Sequence, residues 1–141
     1  MRTRSCLGLA IVAAGLALAT GPARACGYCI EDREAAVYDH AVIEAALAHN
    51  QRVVFFAIEG EPKSGEATRR ALVGALESGG GEKRTARVSL PSASCSVAYD
   101  PAKVSLAELE ARANRALAKR GLALAPLRMT TAGDGLVEAK P

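Results

Sequence analysis

Residues 85–101 read T-A-R-V-S-L-P-S-A-S-C-S-V-A-Y-D-P, and their interpretation decides the fold. Thr85 to Leu90 and Cys95 to Asp100 alternate between polar and apolar side chains, the period of a half-buried strand. Pro91-Ser92-Ala93-Ser94 separates them, and Asp100-Pro101 closes the unit. This is a hairpin, with Ser92, Ser94 and Ser96 read as turn and outward-facing residues.

Upstream, Ser78-Gly79-Gly80-Gly81 ends a helical pattern that runs from about Glu66 to Glu77. Before it, Gly60-Glu61-Pro62-Lys63-Ser64-Gly65 forms a loop. Lys63 and Glu66 are read there as a surface ion pair. The segment Gln51 to Glu59, Q-R-V-V-F-F-A-I-E, is β-branched and aromatic without helical period, as a buried strand is. Downstream, Ser105 followed by Glu108 is a capping-box pair opening a helix that continues to Arg120 and stops at Gly121. Leu122 to Met129 completes the set as a strand whose Pro126 suits a sheet edge.

The order from residue 51 to 130 is strand, helix, strand, strand, helix, strand. That is the split βαβ, or ferredoxin-like, arrangement. The expected fold is therefore α+β, a βαββαβ sandwich with four antiparallel strands and two helices on one face. An extra N-terminal helix from Ile30 to His49 precedes it. Glu31, Asp32 and Glu34 begin that helix, Arg33, His40 and Glu44 make its polar stripe, and Val37, Tyr38, Ala41, Val42, Ala45 and Ala48 lie on its apolar side. Residues 131–141 are expected to form a flexible tail.

The chain has 141 residues and a formal net charge of +3. Its first 25 residues hold Arg2 and Arg4, an apolar run from Cys6 to Ala19, and Ala23-Arg24-Ala25. These are the parts of a secretory signal peptide with cleavage after Ala25, and the run is shorter than the roughly 20 residues a membrane span needs. Three of the 18 basic residues and none of the 15 acidic ones lie in that segment, so the mature part balances 15 against 15. A balanced chain gives no basis for binding nucleic acid or an anionic membrane. The expected location is periplasmic or secreted, with no stable membrane anchor after cleavage.

Just beyond the cleavage point stand Cys26-Gly27-Tyr28-Cys29, a C-x-x-C pair at the start of the N-terminal helix. Two thiolates suit Cu(I), a soft ion content with two ligands, whereas Zn(II) usually takes four. Cleavage would place a free α-amine on Cys26, offering an N,S chelate beside Cys29. His40 would lie roughly 16 Å from Cys29 along a continuous helix at 1.5 Å per residue, too far to share an ion. It and His49 are read as solvated-face and helix-end histidines. Two other readings of the pair stay open. One is a periplasmic thiol-disulfide couple, as in thioredoxin-like proteins, opposed by the missing preceding strand and by the nearby carboxylates. The other is a plain Cys26–Cys29 disulfide in a structural or interaction module. Cys95 is read as a buried small hydrophobe. No nucleophile elbow, phosphate loop or H-E-x-x-H is present, so no catalysis is expected.

Val88-Ser89-Leu90, Val97-Ala98-Tyr99-Asp100-Pro101, Val104-Ser105-Leu106 and the helix ending Lys119-Arg120-Gly121-Leu122 resemble the heavy-metal-associated (HMA) domain. From Arg52 to Met129, the resemblance covers about two thirds of the mature chain. It implies the same ferredoxin-like fold and a soft-metal carrier, with a metal-transport or redox protein as partner. The family holds its ion with a C-x-x-C in the loop after the first strand. Here that loop carries Lys63 and Glu66 instead, so the family's ligands have no counterpart at that place, and Cys26 and Cys29 become the candidate metal ligands.

Overall fold

The computed structural model describes residues 29–131 and 135–139. The signal segment and Cys26 lie outside those residues. The elements are α1 (Ile30–Ala35), α2 (His40–Ala48), β1 (Arg52–Glu59), α3 (Glu66–Gly79), β2 (Arg87–Ser89), β3 (Ser94–Tyr99), α4 (Leu106–Leu117), β4 (Ala123–Thr130) and β5 (Leu136–Glu138). A single 3-10 turn, Ala118–Arg120, extends α4 to the left-handed Gly121. The strands form one mixed-connection, wholly antiparallel sheet in the order β2-β3-β1-β4-β5. This α+β arrangement is compatible with a ferredoxin-like fold.

β1 lies at the centre because its sequence can lie nowhere else. Its six inner residues, Val53 to Ile58, are all buried, so both faces of the strand need cover. On one face Val54, Phe56 and Ile58 pack with Cys95, Val97 and Tyr99 of β3, Leu72 and Leu76 of α3, and Leu109, Ala113 and Leu117 of α4. On the other, Val53, Phe55 and Ala98 pack against Val37, Ile43 and Ala46 from the α1–α2 segment. The sheet is thus sandwiched between two helical layers. α3 and α4 approach closely: a Cβ placed on Gly79 would come within 2.9 Å of the Leu109 carbonyl oxygen.

Four sequence expectations change. Among the described residues the sheet has five strands rather than four, because Leu136–Glu138 pairs with Arg128–Thr130 inside the segment expected to be a tail. The N-terminal helix is two helices. Asp39 takes an extended backbone and its Oδ1 accepts from the Val42 N–H, so it caps a new helix rather than continuing the first. The break resets the helical phase, which puts Ile43 and Ala46 in the core and leaves Tyr38, Ala41, Ala45 and Ala48 exposed.

Pro126 is not on an edge strand, since β4 lies between β1 and β5. Phe55 faces Arg128 while Phe56 faces Pro126, so Leu127 is an extra residue and a bulge accommodates the proline. Finally, Ser94 and Ser96 are buried, because the face they share is roofed by α1 and α2. Ser96 Oγ donates to the Val37 carbonyl at 2.9 Å.

Other local readings agree with the fold. Ser105 Oγ accepts from the Glu108 N–H at 3.2 Å, while the Glu108 carboxylate pairs forward with Arg112 instead of completing a box. Asn50 adopts a left-handed backbone just past α2, as the His49-Asn50 stop requires.

The two helical layers make a direct prediction. Phe55→Ala and Phe56→Ala each lose about 3–5 kcal/mol of stability by urea unfolding, since the two rings are buried on opposite faces. A near-neutral Phe55→Ala would show that α1 and α2 do not cover the sheet in solution.

Candidate functional site

Cys29 occupies the N-cap position of α1 and is exposed, and among the described residues it has no disulfide partner. Its side chain makes no cap hydrogen bond. α1 is only 6 residues long and could not persist alone. It is pinned to the sheet by Arg128 on β4, whose guanidinium reaches Glu31 Oε1 and Glu34 Oε2, both at 3.2 Å. Ser96 holds the Val37 carbonyl just beyond α1, and Arg87 Nε meets Asp39 Oδ2 at 2.8 Å at the start of α2. Arg128 thus ties α1, the helix that Cys29 opens, to the sheet, and the other two contacts hold the connection between α1 and α2.

The two carboxylates under Arg128 are not equivalent. Burial raises the Glu34 pKa above the usual glutamate value, Arg128 opposes that, and the Glu31 charge adds to it. Glu34 Oε1 is buried without a hydrogen-bond partner among the described residues. The solvated Glu31 carboxylate is held below its usual value, first by its own backbone N–H and then by Arg128. Glu31 and Asp32 stand in the first turn of α1, directly after Cys29 along the chain.

Cys95 is on the opposite side of the sheet. It is fully buried in the layer under α3 and α4, opposite Phe56 on β1, and burial alone pushes its thiol far above the ordinary range. The structure therefore separates Cys95 from Cys29, as a core residue from a surface one. Cys26, the other half of the pair, lies outside the described residues. Among the described residues, no group of three or more His, Cys, Asp and Glu side chains is gathered as a metal site would be.

The histidines sit as expected: exposed His40 Nε2 is 3.2 Å from Glu44 Oε1, and His49 Nδ1 is 2.7 Å from the Ala45 carbonyl. Lys63 does not pair with Glu66, which instead faces Arg69 at 3.8 Å. An i,i+3 partner on the same helix is closer than a lysine in the preceding loop. Lys63 lines a cleft with Glu61, Thr68, Lys119, Arg120 and Leu122. Sequence reading missed this group because its basic members are 56 positions and more apart from Lys63. The Arg128 clamp was missed for the same reason, its partners lying 94 and 97 positions away.

Among the described residues, no helix is long and apolar enough to cross a membrane. No protein-family model matches the chain, and no curated protein or solved structure matches it.

Two outcomes test this geometry. Alkylation of the native, reduced protein labels Cys29 promptly and Cys95 only after unfolding, as read by mass spectrometry of the corresponding peptides; equal native labelling would contradict the placement of Cys95. Arg128→Leu costs about 1–3 kcal/mol, because Glu34 is then buried without its cation. A carboxyl whose folded pKa is raised keeps a proton that the unfolded chain has released. Glu34 therefore favours folding most below the usual glutamate range and less as pH rises through its raised value. The Arg128→Leu loss should accordingly be larger at neutral pH than at pH near 4, measured by denaturant unfolding.

Proposed function

We propose that this chain is an exported carrier of a soft metal ion, Cu(I) in the first place, held by Cys26 and Cys29 and passed on without catalysis. The observation that carries the reading is the position of Cys29: an exposed side chain at the N-cap of a short helix clamped to the sheet, with Cys26 three residues before it in the sequence. Two thiolates satisfy Cu(I), and the adjacent carboxylates favour a cationic cargo. Zn(II) would need further ligands, and no group of three or more His, Cys, Asp and Glu side chains is gathered among the described residues. In this proposal the domain from residue 51 to 130 is a ferredoxin-like, HMA-like unit. The C-x-x-C has moved from the loop after β1 to the chain ahead of the domain. The strand order β2-β3-β1-β4 and the helices α3 and α4 on one face support that relation.

The first 25 residues act as the export signal in the same proposal, which places the protein in the periplasm or outside the cell, and the partner is a protein that gives or receives the ion. The α-amine released on Cys26 by cleavage would add a third donor.

Anaerobic Cu(I) titration against a competing chelator tests the reading. The chain beginning at Cys26 binds a single Cu(I); Cys26→Ser and Cys29→Ser each abolish tight binding, and Cys95→Ser changes nothing. Extra residues ahead of Cys26 weaken binding by removing the amine. Failure to bind Cu(I) or Zn(II), together with a strongly oxidising Cys26–Cys29 couple, would replace this reading with the thiol-disulfide one.

A further inference from the structure

The loop between β1 and α3 is pressed against the turn between α4 and β4. Gly60 has a φ of +93°, and a Cβ there would stand 2.3 Å from the Gly121 carbonyl oxygen, so only glycine allows the two backbones to meet. That contact brings Lys63 from one loop beside Lys119 and Arg120 from the other. Among the described residues, none of these three cations has an ion pair. Glu61 also lines the cleft and offsets one positive charge, while Glu66 is turned to Arg69.

The start of α3 opens on the same place. Its N-cap is Gly65, which has no side chain to accept from the first turn, so the N–H groups of Glu66, Ala67 and Thr68 have no intrahelical partner. Thr68 lines the cleft, is only 8% exposed, and its hydroxyl makes no hydrogen bond among the described residues. That hydroxyl is open to the cleft and is left to water or to a ligand there. Here it joins free backbone donors, the positive end of a 14-residue helix and a net excess of cations.

We propose that this cleft is an anion site, and that it takes a small phosphate-bearing ligand. Several converging donors and more than one positive charge match a tetrahedral dianion better than a lone carboxylate. The cavity of about 250 Å³ is below the roughly 300–1,000 Å³ of sites for drug-sized ligands, so the occupant is inorganic phosphate or a small phosphate ester. The site is independent of the cysteine pair, and occupancy does not require a metal.

The full chain, ¹⁵N-labelled at low ionic strength, is titrated with inorganic phosphate and, separately, with glycerol phosphate. Saturable shifts of the Glu66, Ala67 and Thr68 amides by either ligand are expected. The Lys119→Ala/Arg120→Ala double variant weakens binding by about tenfold or more. Thr68→Val weakens it severalfold with an unchanged thermal midpoint, and Cys29→Ser leaves it intact. Chloride at matched ionic strength producing the same shifts would overturn the proposal. So would phosphate shifts unaltered in both cleft variants, or no saturable shift with either ligand.

Discussion

Everything in this fold is arranged around a strand that cannot tolerate water on either side. Val53 to Ile58 bury their side chains alternately up and down, with Phe55 and Phe56 at the middle. One helical layer would leave Val53, Phe55 and Ala57 on a wet surface, with several side chains each forfeiting about 1.5–3 kcal/mol of transfer free energy. The α1–α2 segment provides the second layer. Its role in the fold is therefore not an accessory to the sheet but a consequence of β1.

That second layer is thin and is made secure by polar contacts. α1 has few apolar residues to bury, and what holds its region is Arg128 across Glu31 and Glu34, Ser96 on the Val37 carbonyl, and Arg87 on Asp39. Such contacts are directional where apolar burial is not, so they set how α1 and its connection to α2 lie on the sheet. Glu34 carries the strain of this arrangement, since burial raises its pKa while one of its oxygens lacks a partner among the described residues. The proposed metal pair gains from the same architecture, because Cys29 starts a helix whose position the sheet dictates.

The two ends of β1 connect to two chemically opposite places. The segment preceding it leads back to exposed Cys29 with carboxylates in the next turn. The loop following it carries Lys63 and meets Lys119 and Arg120 through the Gly60–Gly121 contact. A cation cargo at the first and an anion at the second would be served by fields of opposite sign within one small domain.

Sequence by itself determined what local chemistry controls. The hairpin around Pro91, the Ser105 cap, the glycine stop after α3, the buried character of β1 and the surface roles of His40 and His49 all depend on neighbours within a few residues, and all were legible. So was the thiol at Cys29, as a residue type and spacing. Only the tertiary structure decided which face of the sheet is covered, and hence that Ser94 and Ser96 are interior. It also decided that α1 and α2 are separate, that Pro126 sits at a bulge beside a fifth strand, and that Arg128 meets carboxylates more than 90 positions away. Lys63 joined Lys119 and Arg120 in the same way. The physical reason is common to all of these: each depends on surfaces brought together by the packing of β1, and no pattern along the chain encodes a contact between segments that far apart.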